Sequence, residues 1–184
     1  MIRWAASQHL LARARLIYDD PDLPFAAMAG REGWRSGFVS GAEWMGLAMS
    51  HVRGAEIPRT YAPFHVLGAV KYGLCSLAAM IYLLLICGVR WYPLIIGVVI
   101  VFYAVEAQMV FLFPLSIDGF VDVFRASRRC TEKAGGTIRV VAIVLPLAVV
   151  MLFGGFAGQG FVRCWALGCL AIVLWYEDLR QHDA

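Results

Sequence analysis

Glu106 is the only charged residue in the 24 residues 94–117 (LIIGVVIVFYAVEAQMVFLFPLSI). That run is long enough to cross a hydrocarbon core of about 30 Å. A charge at bilayer depth costs roughly 2.5–3.5 kcal/mol on insertion scales, so the group requires a proton, a partner or a task. Tyr103 precedes Glu106 by three residues, shares its helical face and is able to donate a hydrogen bond to it. Gln108 lies about 200° further round the helix and faces a different neighbour. Three readings compete for Glu106: a structural carboxyl hydrogen-bonded inside a bundle or at an interface, which leads; a salt bridge to a cation on another span; and a proton or cation relay.

Lys71 is the cation at hand, but the expected depths disagree. It lies about five residues, or roughly 8 Å, inside its apolar run, whereas Glu106 lies about 11 residues, or roughly 17 Å, from the same face. A shallow lysine is expected to snorkel to the headgroups. Direct pairing is therefore not the expectation. Arg139 and Arg163, at the ends of later runs, read as interfacial anchors.

Other chemistries lack their residues. His9, His51, His65 and His182 all fall outside the apolar runs, and only His65, at the edge of one, is a weak candidate for holding a cofactor. No H-x-x-x-H cluster, CxxC pair, HExxH, P-loop or GxGxxG occurs, so no metal site and no catalytic residue is expected. Ser116 with Asp118 reads as a helix-end pattern. Cys75, Cys87, Cys130, Cys164 and Cys169 are scattered and read as small apolar residues rather than disulfides. Arg125, Arg128, Arg129 and Lys133 form a basic cluster suited to anionic headgroups or a protein partner. Gly154 and Gly158, with Gly155 beside them, form a small-xxx-small pattern that favours close helix packing.

These residues are set in a chain of 184 residues that is 61% apolar and 16% charged. A soluble domain carries about 25% charge, so an all-α polytopic membrane protein is expected. Four spans in two hairpins are expected at about 66–88, 94–117, 138–156 and 161–176, the last short. The alternative for the last two is a re-entrant pair. The first 64 residues hold 13 of the 29 charged side chains and form a separate segment (1–64) ahead of the membrane domain (65–184). Within it, residues 4–18 and 33–52 have amphipathic spacing, suited to lying on the headgroups or to covering a neighbouring protein. Residues 1–20 lack the uninterrupted apolar core of a signal peptide and read as part of the folded protein.

Seven Arg in the N-terminal segment and four basic residues in 118–137 exceed those on the opposite side. Both termini are therefore expected in the cytoplasm. Trp91 with Tyr92, and Trp175 with Tyr176, fit aromatic belts. The 14 Arg against 2 Lys suggest a GC-rich bacterial genome and hence a bacterial inner or intracytoplasmic membrane.

The leading expectation is a non-catalytic accessory or structural subunit of a larger membrane complex, partnered by other membrane subunits or by its own copies. No cofactor is expected, though a lipid or pigment against its surface is compatible. Contacts extend to anionic lipids but not to nucleic acid. The first alternative is a small homo-oligomeric transporter or channel using Glu106. The second is a membrane-embedded lipid-modifying enzyme acting near His65, Lys71 and Asp118.

Overall fold

The structure is a computed structural model that describes residues 2–20, 38–58, 62–87, 94–158 and 160–181. The 89–93 hinge with Arg90, Trp91 and Tyr92, the start of the second amphipathic segment at 33–37, Gln159 and His182 lie outside these residues. The described residues form seven helices: α1 (Ile2–Tyr18), α2 (Phe38–Arg53), α3 (Phe64–Ile86), α4 (Ile95–Ile117), α5 (Val123–Lys133), α6 (Thr137–Ala157) and α7 (Phe161–Gln181). The last four residues of α6, Gly154–Ala157, wind as a 3-10 turn. Three helices, α3, α4 and α6, are long and apolar enough to cross a membrane. The chain is thus all-α, with the make-up of a multi-pass membrane protein.

α3 buries a narrow stripe, Phe64, Gly68, Lys71, Cys75 and Ala79, spaced by three or four residues so that all five lie on one face. The opposite faces of α3, α4 and α6 leave aliphatic side chains exposed, among them Leu74, Leu84, Leu85, Ile96, Ile100, Leu145 and Val149. Exposed apolar surface on this scale is unfavourable in water and natural in lipid.

α4 departs from the single straight span expected. Its regular part stops at Gln108, residues 109–111 form a turn, and Leu112–Ile117 resume the helix. Every residue from Met109 to Ile117 is buried by protein. The apolar run is therefore two things joined: a lipid-facing helix and a piece of globular core. Hydropathy does not separate them, because lipid and protein interior select the same side chains.

α7 is the most enclosed helix. Cys164, Ala166, Leu167, Gly168, Leu170, Ala171 and the whole stretch from Val173 to Glu177 are buried. It extends to Gln181, beyond the expected end at Tyr176, and it is not among the three helices with span-like length and apolarity. Trp175 and Tyr176, expected in an aromatic belt, are core residues instead. Their rings lie 5.1 and 6.3 Å from the ring of Phe111, which has no exposed surface.

The N-terminal helices pack into the same core rather than lying apart from it. α1 rests on α6 and α7, burying Ser7, Leu10, Leu11, Ala14 and Tyr18 on one face. Arg13 clasps Asp178 with bonds of 2.6 and 3.0 Å. Arg163, expected as a headgroup anchor, holds Asp19 at 2.7 Å. These two pairs tie α1 to positions 15 residues apart on α7, so α1 runs alongside α7 and antiparallel to it. α2 packs against α7, α3 and the buried end of α4. The neighbour that both amphipathic segments cover is this chain's own helical bundle.

Two glycine turns close the topology. Gly135 and Gly136 adopt φ of +101° and +84°, a left-handed region that side chains rarely enter, and reverse the chain from α5 into α6. In the α6–α7 hairpin, a Cβ on Gly154 would strike Cys164, and one on Gly155 would strike Phe161. The small-residue pattern thus works within the hairpin, and Gly158, at φ +79°, forms its turn.

Candidate functional site

α2, α3, α4, α6 and α7 surround a cavity of about 580 Å³. Its wall is largely apolar, with Met45, Phe102, Val110, Leu147, Met151 and Ile172 prominent. Lys71 and Glu106 stand together in this wall, Nζ 3.3 Å from Oε1. Lys71 is only 3% exposed. Its ammonium also sits 5.2 Å from the ring centre of Tyr72 and 5.9 Å from that of Phe113, within cation–π range.

This pairing departs from the depth expectation, and helix register gives the reason. Phe64 of α3 stacks on Phe113 of α4, with ring centres 6.5 Å apart. Lys71 follows Phe64 by seven residues and Glu106 precedes Phe113 by seven, so antiparallel packing brings them level, about 10 Å along each helix. The depth expectation counted from the ends of the two apolar runs, whereas the level of each residue is set by how α3 packs on α4, with Phe64 opposite Phe113. A lysine on the inward stripe of α3 does not reach the headgroups.

Tyr103 lines the same cavity as Glu106. Gln108 faces elsewhere, as its angular offset requires, and donates to Thr137 Oγ1 at 2.6 Å, fastening α4 to the start of α6. Close by, Thr131 Oγ1 donates to the carbonyl of Ala107 at 2.6 Å, holding α5 against the same turn of α4.

A second polar constellation closes one end of the bundle. Arg53, at the end of α2, gives two bonds to Asp118 (2.6 and 2.8 Å) and two to Glu177 (2.9 and 2.6 Å). Tyr176 donates to Asp118 Oδ2 at 2.6 Å. Burial pushes the Asp118 carboxyl up, but the bonds from Arg53 and Tyr176 outweigh it and hold it below the ordinary carboxylate value. Burial likewise opposes the Arg53 charge, and the two carboxylates reverse that and raise its pKa. The sequence pattern assigned no role to Arg53 or Glu177, and it placed Tyr176 in an aromatic belt rather than in this network. The available signal was an acidic pair, Glu177–Asp178, closing an apolar helix opposite an arginine-rich segment.

The remaining expected residues separate. His65 is exposed at the start of α3 and, like Asp118, is not part of the cavity wall that contains Lys71. His65, Lys71 and Asp118 therefore do not share the cavity. Arg125, Arg128, Arg129 and Lys133 lie on the exposed side of α5, where Arg128 pairs loosely with Glu132 at 3.5 Å and Arg125 with Asp122 at 3.9 Å. Asp122 also caps α5, accepting from the Arg125 backbone N–H at 3.3 Å. No group of three or more His, Cys, Asp or Glu suited to a metal ion occurs among the described residues. Comparison with protein-family models, with curated proteins and with solved structures returns no match.

Chemically, the cavity offers a concave apolar surface of ligand-binding size, with a single internally neutralised ion pair. The paired glutamate has its counter-ion beside it, and no nucleophile–base pair with an orienting third group is present among the described wall residues.

Proposed function

We propose that the protein is a non-catalytic, multi-pass subunit of a larger bacterial membrane complex, and that its task is to hold an apolar molecule in the cavity between α2, α3, α4, α6 and α7. The observation that carries this reading is the cavity of about 580 Å³, largely apolar, with Lys71 and Glu106 neutralising each other in its wall.

In this reading α7 is the fourth span, central in the bundle and screened from lipid by α1, α2 and α6. Both termini and α5 face the cytoplasm, and the basic side of α5 meets anionic headgroups. α1 supports the subunit assignment: it runs along α7, yet its outer side exposes Arg15, which lies between the Arg13–Asp178 and Asp19–Arg163 pairs. At that depth a charged residue calls for another protein surface rather than acyl chains. Purification in mild detergent followed by mass spectrometry tests the proposal. Partner subunits and a lipophilic molecule are expected to co-purify; a monodisperse protein with neither would count against it.

A second reading, a homo-oligomeric transporter or channel, is favoured by the placement of Glu106 in the wall of the cavity. Glu106→Gln should then abolish flux in liposomes. The lipid-modifying enzyme has no support from the placement of His65, Lys71 and Asp118.

A further inference from the structure

We infer that the cavity accepts a neutral amphiphile, one whose apolar body lies against Met45, Phe102, Met151 and Trp165 and whose uncharged carbonyl or hydroxyl head meets Lys71 and Glu106. The inference rests on the cavity being a binding site and adds the chemical class of what binds there.

Charge complementarity decides the head. Lys71 is the only Lys or Arg in the described wall, and Glu106 already neutralises it at 3.3 Å. A carboxylate, sulfate or phosphate head would compete with Glu106 for one ammonium and place two anions against one cation in an apolar enclosure. Glu43, also in the wall, adds further negative charge. A cationic head would compete with Lys71 for Glu106. Breaking a buried pair in either direction leaves an uncompensated charge, which is strongly unfavourable.

A neutral head adds bonds without breaking any. An ammonium has three N–H donors and a carboxylate about four acceptor positions. The pair therefore has capacity to donate to a carbonyl or accept from a hydroxyl while staying intact.

The way in favours the same class. Leu47, Leu152 and Trp165 belong to the wall and are also exposed, so they mark its mouth. On the α6 and α7 side of that mouth the exterior is apolar, with Val149, Phe153, Phe156 and Phe161 exposed, while exposed Glu43 stands on the α2 side. A ligand reaching this mouth comes from the hydrocarbon phase, where neutral amphiphiles partition readily and charged heads stay at the surface.

The test uses three nitroxide-labelled probes with the same long alkyl chain, ending in a methyl ester, a sulfate or a trimethylammonium group. They are titrated into the full-length protein in mild detergent. Quenching of Trp44 and Trp165, which line the cavity, is read as the difference from the Trp44→Phe/Trp165→Phe variant. Saturable quenching by the ester is expected, with the sulfate and the ammonium at least about tenfold weaker.

Two variants report on the mechanism. Gly41 is in the wall, and a Cβ there meets nothing within 4 Å, so Gly41→Phe should keep the fold, take up part of the cavity beside α2 and weaken the saturable component. Glu106→Gln, which leaves Lys71 without its counter-ion, should turn the preference toward the sulfate. Absence of saturable quenching by all three probes in the wild type would overturn the binding reading itself. Saturable quenching in which the sulfate or the ammonium equals or exceeds the ester would overturn the ligand class and leave the binding reading standing.

Discussion

Lys71→Met isolates the buried ion pair and should be one of the most damaging single substitutions in the bundle. The methionine keeps most of the lysine's volume, so little of the loss comes from packing. What remains is Glu106 in an apolar wall, its counter-ion gone from 3.3 Å. Removing one member of a buried pair typically costs about 3–5 kcal/mol, against 0–1 kcal/mol for an exposed pair. For a chain of this size, about 2–4 °C per kcal/mol converts that cost into a fall in midpoint of roughly 6–20 °C. The assay is thermal unfolding in mild detergent for wild type, Lys71→Met, Glu106→Gln and the double variant. The double variant has no charge left to strand and should recover most of the loss, giving a coupling energy well above that of additive sites. Single variants within about 1 kcal/mol of wild type, or double-variant losses that simply add, would refute the placement of the pair.

Arg53→Met takes the shared guanidinium from Asp118 and Glu177, leaving them only the Tyr176 hydroxyl and Arg180 at 3.6 Å, and should destabilise by about 3 kcal/mol, read by the same unfolding assay. The native pKa of Asp118 is held below its unfolded value. Its contribution is therefore complete above the unfolded value of about 3.9 and is lost as pH falls through the lower, native one. Wild type should thus lose stability on acidification below about pH 4, and the Arg53→Met variant should show a smaller acid-dependent loss, measured as midpoint against pH. Gly155→Val forces a Cβ into the Phe161 ring and should cost about 1–3 kcal/mol by loosening the α6–α7 turn, visible as a lowered midpoint. Phe111→Ala empties a site with no exposed surface beside Trp175 and should cost about 3–5 kcal/mol, with a change in near-ultraviolet circular dichroism.

The helical class and the apolar runs of α3, α4 and α6 were legible because length and hydropathy act locally along the chain. The inward stripe of α3 was legible in principle too. Phe64, Gly68, Lys71, Cys75 and Ala79 recur at helical spacing, and four of the five are small or aromatic. Reading Lys71 by depth alone, rather than by the face it shares, hid the pair with Glu106. The register that brings the two level is set by how α3 packs on α4, with Phe64 opposite Phe113, and composition gives no sign of that packing. Trp175 and Tyr176 were misplaced for a related reason: an aromatic pair at the end of an apolar helix looks the same in a belt as against Phe111. The cavity was not legible at all, since its wall gathers side chains from five helices between Ser40 and Ile172. The Arg53 network joins positions as far apart as 53 and 177, and no local pattern reports such a contact.

Native mass spectrometry of the protein released from its own membranes, alongside Gly41→Phe prepared identically, tests the central claim most directly. One lipophilic molecule of neutral head is expected per wild-type chain, retained at activation energies that strip detergent, and less retained by Gly41→Phe at an unchanged unfolding midpoint. A wild-type chain with no retained molecule, or an equal adduct on a folded Gly41→Phe variant, would contradict it.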